Sequence, residues 1–156
     1  MENNLERKYG SIAITPDLSS ESISSYINNL ELIRSNTHKV EFLIIRNKSL
    51  SRDEYQKLAE GIMELLNAKL PCILHFDSFD SFIQMNDLIS KSYGVHFTSS
   101  LLKELKKNDL LKYFEKKKIF GGSCHNEQEI SLASNLGLNC CILGPVKDKL
   151  VDKKII

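Results

Sequence analysis

The stretch VEFLIIRNKSLSRDEYQKLAEGIMELLNAKLPCILHF, residues 40–76, determines the fold. Two short apolar runs in it, Val40–Arg46 and Cys72–Phe76, flank a longer amphipathic segment. Ser51 and Glu54 have the spacing of a capping box, which marks the start of a helix. Apolar residues then recur at helical spacing, at positions 55, 58, 59, 62, 65 and 66. A strand, a crossover helix and a second strand in this order predict two parallel strands.

The same alternation continues on both sides of this stretch. It predicts four more strands, Ser11–Thr15, Gly94–Phe97, Ile119–Ser123 and Cys140–Leu143. The helices between them are expected after Ser20, around Ser81–Lys91, over Leu101–Phe114 as one bent or two short helices, and from a capping box of Asn126 and Glu129 to Gly137. Strand starts lie about 20 to 32 residues apart, the length of a βα unit. Six strands alternating with five helices predict an α/β fold with a parallel sheet.

One residue from each of five strands is expected to be mainly buried: Ile14, Leu43, Ile73, Val95 and Ile142.

Composition and charge narrow the class of protein. The chain has 156 residues, 42% of them hydrophobic, and a formal net charge of +1. This is one domain of an ordinary globular protein, and the charge balance disfavours binding of nucleic acid. No apolar run approaches the ~20 residues that cross a bilayer, and residues 1–9 lack the apolar core of a secretory signal. The four cysteines form no CxxC pair, so we expect reduced thiols and a cytoplasmic protein.

Polar residues follow the predicted strands at their carboxyl ends, where parallel α/β folds place their chemistry. Arg46 and Lys48 suit a phosphate or pyrophosphate, although an ordinary basic loop has the same composition. Ser123–Asn126 precedes a helix, whose free N–H groups favour an anion or are simply capped by Asn126. His125 is a candidate acid–base group or a structural histidine. His96, within a strand, is interpreted as structural.

Five segments in register carry a family resemblance: ITPD (14–17), IIRNKSL (44–50), YGVHFTSSLL (93–102), GGSCHNEQE (121–129) and LGPV (143–146). Together they resemble the thiamine phosphate synthase/TenI family of (β/α)8 barrels. The third and fourth segments are most similar to a divergent branch fused to Nudix hydrolases. The resemblance implies a single domain over residues 1–156, built as an incomplete TIM-type barrel of about six βα units. Strands 7 and 8 are then lacking, with 154–156 at most an unpaired start of strand 7, and the chain is interpreted as carboxyl-terminally truncated.

The family joins a pyrimidine pyrophosphate to a thiazole phosphate with Mg²⁺ assistance, and a related branch tautomerises a thiazole carboxylate phosphate. Arg46 and Lys48 match the family's pyrophosphate motif, although Ile44 replaces its glutamine. Asp77 is the nearest candidate for a Mg²⁺ ligand, and His125 coincides with the tautomerase histidine. The resemblance assigns substrate binding to Ser123, Cys124, Asn126 and Gly144.

Three functions follow from this comparison: a synthase-type transferase, a tautomerase using His125, or a non-catalytic remnant that binds a phosphate ligand. The expected partner is a phosphorylated small molecule, without nucleic acid or membrane. An open barrel would also leave strands 1 and 6 without one neighbour each. We therefore expect self-association through these edges or only marginal stability, unless residues 147–156 fold back to cover an edge.

Overall fold

The computed structural model describes residues 11–18, 22–30, 35, 40–66, 69–114, 119–144, 150–151 and 154–155. Six parallel strands form one curled sheet in sequential order. They are β1 (Ile12–Ile14), β2 (Phe42–Ile45), β3 (Cys72–Phe76), β4 (Gly94–Phe97), β5 (Ile119–Cys124) and β6 (Cys140–Leu143). The predicted α/β fold, an incomplete barrel of parallel strands, is confirmed.

The helices alternate with the strands as the sequence predicts. They are α1 (Ile23–Asn29), α2 (Arg52–Leu66), α3 (Phe79–Gln84), α4 (Asn86–Lys91), α5 (Ser99–Leu102), α6 (Lys107–Phe114) and α7 (Glu127–Leu136). The segment 81–91 is divided at Met85 rather than continuous, and 101–114 forms two short helices. The cap of α1 is Ser22, whereas Ser20, where a start was predicted, lies outside the described residues. Gly137 ends α7 with a φ of 83°, a conformation that favours glycine.

The outer face of the sheet packs against the helices in an apolar core. Leu43, Ile45, Leu74, Val95 and Phe120 alternate along four strands and are fully buried in this core. A row of aromatic rings continues it: Phe82 lies 5.6 Å from Phe76 and 5.2 Å from Phe97, and Phe97 lies 6.5 Å from Phe120, between ring centroids. Burial of these side chains supplies most of the driving force for folding.

The inner face begins with an isoleucine layer, in which four isoleucines and Gly94 lie at the same register. Ile14 is paired with Ile44, Ile44 with Ile73, Ile73 with Gly94, and Gly94 with Ile119. Ile44 and Ile73 are buried. The prediction of burial was wrong for Ile14, which is 48% exposed, because β1 has a neighbour on one side only. Ile142, on the opposite edge strand, is half-buried.

Within the described residues, β1 pairs only with β2 and β6 only with β5, so both edges of the sheet are open. Near the carboxyl terminus, β7 (Leu150–Val151) and β8 (Lys154–Ile155) form a separate antiparallel pair. The expectation of an unpaired segment at 154–156 was therefore wrong for Lys154–Ile155, and Ile156 lies outside the described residues. No helix of the described part has the length and apolar character required to cross a membrane.

The open edges expose apolar side chains, Ile14 on β1 and Leu143 on β6, which is 51% exposed. We expect two copies of the chain to associate through these strands, because unpaired backbone groups and exposed apolar residues favour strand pairing. Leu143→Lys should weaken self-association in sedimentation velocity by about tenfold or more. Ile83→Lys, an exposed residue of α3, is the matched control and should leave it unchanged. A monodisperse monomer at all concentrations would contradict this expectation.

Candidate functional site

Two histidines form a polar layer on the inner face. This layer lies two residues further along the strands than Gly94 of the isoleucine layer, towards the carboxyl ends. His75 of β3 and His96 of β4 are partners in the strand register, and their rings stack with centroids 5.9 Å apart. The Nε2 atom of His96 lies 2.9 Å from the Oγ atom of Ser123 on β5. The three side chains therefore form a continuous polar chain across three adjacent strands.

Glycine at position 121 makes room for this arrangement. A Cβ atom on Gly121 would lie 2.9 Å from Nδ1 of His96 and 2.9 Å from Sγ of Cys140. Any side chain there would displace the imidazole of His96 from its place above β5. The register that pairs Gly121 with His96 therefore lets the imidazole of His96 reach Ser123 on β5.

Both imidazoles are neutral at pH 7. Burial and, to a smaller extent, the nearby positive charge of Arg46 lower the pKa of His75 to about 4. Burial also lowers the pKa of His96 to about 4, with a smaller effect from His75. A neutral imidazole can donate one hydrogen bond and accept another, so the layer can orient a polar ligand without adding positive charge.

The buried Tyr55 of α2 links the core to this end of the sheet. Its hydroxyl donates to the carbonyl of Ile45 at 2.7 Å and accepts from the backbone N–H of His75 at 2.9 Å. Burial raises the pKa of Tyr55, so the phenol stays protonated and can keep donating. This bridge holds the carboxyl ends of β2 and β3 together, next to Arg46 and at His75.

The end of β2 is also held by residues after β1. Thr15 donates through Oγ1 to the carbonyl of Arg46 and accepts from its N–H, both at 2.8 Å. Asp17 accepts from the N–H of Lys48 at 3.1 Å, and its other oxygen lies 3.9 Å from the guanidinium of Arg46. Arg46 and Lys48 both act electrostatically on His75, as do Asp77 and Asp17. The structure therefore brings Arg46, Lys48 and Asp77 to the same region.

The turn after β5 has a different role for each of its residues. The side-chain oxygen of Asn126 accepts from the N–H of Glu129 at 2.9 Å and caps α7. Glu129 accepts from the N–H of His125 at 2.8 Å, so this capping box is displaced by one residue from the sequence prediction. The side chain of Cys124 lies in the core between sheet and helices, which leaves only its backbone to contact a ligand.

His125 is exposed and hydrogen-bonded across to β6. Its Nδ1 atom donates to the carbonyl of Gly144, since a carbonyl oxygen can only accept. In a neutral ring this assignment leaves Nε2 unprotonated and able to accept a proton. Among the described residues, no hydrogen bond or ion pair joins His125 to Arg46 or Lys48. The predicted site residues thus form two groups, one at β2–β3 and one at β5–β6. His96 of β4 lies between them and contacts Ser123 of the second group.

A Mg²⁺ ion would find few protein ligands here. In the described part of the chain, no three His, Cys, Asp or Glu side chains come together to hold a metal ion. Asp17 is already bonded to Arg46 and Lys48, which leaves Asp77 as one carboxylate. One carboxylate fits only a Mg²⁺ held mainly by the phosphates of a substrate. The predicted Mg²⁺ therefore stays a prediction.

Strands in sequential parallel order with polar groups at their carboxyl ends define a protein of the β/α-barrel class. A family model described as thiamine monophosphate synthase matches residues 18–150, and the chain belongs to that family. The resemblance stated from the sequence is confirmed at this level, while the Nudix-fused branch and the truncation stay predictions.

Comparison with solved structures supports the fold alone. The N-acetylneuraminate lyase from Fusobacterium nucleatum superposes with a TM-score of 0.63 and 8% sequence identity. The superposition covers 88% of this chain and 56% of the lyase, so the chain spans little more than half of the lyase's length. A comparison with curated proteins finds no significant match.

The neutral histidines predict a loss of stability in acid. Folding lowers the pKa of His75 and His96 from 6.5 to about 4, so only the unfolded chain binds these protons between those values. Their contribution to the free energy of unfolding is complete above pH 6.5 and falls as the pH drops towards 4. The slope should be on the order of 1 kcal/mol per pH unit for each histidine. Urea unfolding at several pH values measures it.

His96→Gln keeps a polar atom near Ser123 and removes one titrating ring, so it should reduce this slope. The double variant His75→Gln/His96→Gln should reduce it further. An unchanged slope in the double variant would show that other groups dominate the acid sensitivity.

Proposed function

We propose that this chain binds a phosphorylated intermediate of thiamine biosynthesis at the carboxyl ends of β2–β5, as a thiamine phosphate synthase-type domain. Membership of the family supports the substrate class. The observation that carries the proposal is the placement of two cations, Arg46 and Lys48, beside the neutral layer of His75, His96 and Ser123. Positive charge that suits the phosphates therefore lies next to uncharged polar groups that can bind the rest of the ligand.

Arg46 is suited to contact a phosphate. Its guanidinium lies 3.9 Å from the carboxylate of Asp17, a loose pairing that a phosphate oxygen can compete with, and its side chain is 29% exposed. A guanidinium presents parallel N–H groups to two oxygens, whereas the ammonium of Lys48 adds a point charge. Thr15 and Tyr55 hydrogen-bond to the backbone at the end of β2. The backbone that carries Arg46 and Lys48 is therefore held in place before a ligand binds.

The same groups fit the chemistry of a synthase. When the pyrimidine substrate is joined to the thiazole phosphate, its bond to pyrophosphate breaks and negative charge increases on the oxygens of the leaving pyrophosphate. Arg46 and Lys48 would stabilise that charge, and partial exclusion of water beside the buried histidines would strengthen the interaction. His96 and Ser123 would orient the reacting ring through hydrogen bonds that need no change of protonation. Mg²⁺, where a substrate brings it, would add charge stabilisation on the phosphates.

Arg46→Gln should weaken the binding of inorganic pyrophosphate by about tenfold, because a charge-assisted pair of hydrogen bonds is lost. Isothermal titration calorimetry measures the dissociation constant. Lys69→Gln is the matched control: it makes the same charge change on an exposed residue before β3, at the opposite end of the sheet. Equal weakening in both variants would mean that only net charge matters.

A turnover assay with both substrates separates the synthase from a non-catalytic phosphate-binding domain, which binds its ligand but forms no product.

A second candidate function, a tautomerase-type proton transfer, is favoured by one contact of His125. Its Nδ1–H is held by the carbonyl of Gly144, so Nε2 is the nitrogen of this exposed ring that can accept a proton. A base of this kind can remove a proton from carbon beside a polarised group and return it elsewhere.

His125→Asn should separate these roles. The asparagine amide can donate to the carbonyl of Gly144 as Nδ1 does, yet it offers no base in place of Nε2. We expect the rate of thiazole carboxylate phosphate isomerisation to fall at least about a hundredfold. Circular dichroism at increasing temperature should show an unchanged fold. Isomerisation at the wild-type rate in His125→Asn would reject His125 as the base.

A further inference from the structure

A gap on the inner face of the sheet lies over Gly121, between side chains of β4 and β6. Gly121 of β5 is the register partner of His96 on one side and of Cys140 on the other. A Cβ atom on Gly121 would lie 2.9 Å from Nδ1 of His96 and 2.9 Å from Sγ of Cys140. A nitrogen and a sulfur atom therefore approach the space over Gly121 from opposite sides, and the missing side chain leaves that space to a ligand.

The Nδ1 atom of His96 has no hydrogen-bond partner among the described residues. The ring makes its hydrogen bond through Nε2, which lies 2.9 Å from Oγ of Ser123, and it stacks on His75. The residue is only 4% exposed, so this unpartnered nitrogen belongs to a buried side chain directed at the gap. When Nε2 donates its proton to Ser123, Nδ1 keeps a lone pair that can bind a metal ion.

Cys140 supplies a soft donor on the other side of the gap. Its side chain is exposed, whereas two of the other cysteines are buried. Cys141 is also exposed, but it is the partner of Gly122, so its side chain lies on the opposite, outer face of the sheet. All four cysteines belong to the described part of the chain, and of these only Cys140 is exposed on the inner face beside His96.

This pair of donors suits a soft metal ion of low coordination number. Thiolate ligands favour Cu(I) and Zn²⁺ among the first-row metals, and imidazole binds both. Within the described ranges, no three His, Cys, Asp or Glu side chains come together, so the gap offers two protein ligands. A structural Zn²⁺ ion takes four ligands, whereas Cu(I) is stable with two in a linear arrangement.

The protonation of the two donors is compatible with such an ion. Burial lowers the pKa of His96 to about 4, so at pH 7 no added proton competes with the ion for the imidazole. Burial raises the pKa of the Cys140 thiol, so the ion must displace the thiol proton.

We propose that Cys140 and His96 bind one Cu(I) ion over Gly121, through Sγ and Nδ1, with release of the thiol proton to solvent. Ser123 orients the ring by accepting from Nε2, as the outer partner of a metal-bound histidine does. Neither Arg46 nor Lys48 contributes a ligand, and no phosphate takes part. The inference is therefore independent of the proposed function.

Anaerobic titration of the full chain with Cu(I), in competition with the chelator bathocuproine disulfonate, tests this inference. We expect one tightly bound ion per chain. Cys140→Ser should weaken its binding at least about a hundredfold, because loss of a ligand costs more than loss of an outer partner. Cys141→Ser is the matched control: the same change on the neighbouring exposed thiol of the outer face should leave the affinity unchanged.

NMR identifies the second ligand without a substitution in the buried polar layer. Cu(I) is diamagnetic, so the ring nitrogens of His96 stay observable during the titration. Binding should shift the Nδ1 resonance of His96 saturably, and the shift should be absent in Cys140→Ser. Equal affinity in Cys140→Ser and the wild type would overturn the inference. A bound ion that leaves Nδ1 of His96 unshifted would also overturn it, since a thiol would then bind the ion without the imidazole.

Discussion

The parallel register of the sheet is the constraint on which the other features depend. Each strand alternates between an outer residue packed on helices and an inner residue facing the opening of the half-barrel. Pairing His75 with His96 and His96 with Gly121 places two imidazoles and a gap in one layer. A shift by one residue would turn both imidazoles into the apolar core. The burial of Phe97 and Phe120 on the outer face therefore also determines where the inner polar groups lie.

Tyr55 connects the apolar core to the carboxyl ends of β2 and β3. It belongs to the apolar face of α2, yet its hydroxyl bonds to β2 and β3 at the same time. The strand ends that carry Arg46 and His75 are thus bonded to α2, and the apolar face of this helix is buried in the core. Asp17 and Thr15 provide the equivalent support from β1. The phosphate-binding proposal depends on this frame, since Arg46 and Lys48 lie just after the end of β2.

Much of this structure could be predicted from local sequence, and the exceptions have physical causes. The bounds of β3, β4 and β6 agree with the apolar runs, and the Ser51–Glu54 capping box forms as its spacing indicates. Ile14 was misplaced because its exposure depends on which strands are neighbours. The partnership of His96 with Ser123 was missed because it depends on register between strands and on the missing side chain of Gly121. The carboxylate of Glu129 accepts from the N–H of His125 rather than from that of Asn126, while the Asn126 side chain accepts from the N–H of Glu129.

The central claim is that a phosphate group binds beside the neutral histidine layer at the carboxyl ends of the strands. A crystal structure of the chain with pyrophosphate tests it most directly. The account predicts density for the anion within hydrogen-bonding distance of Arg46 and Lys48, on the His75 side of β2, with the His96–Ser123 contact retained. Density found only at the amino ends of the strands, or no density at saturating pyrophosphate, would contradict it.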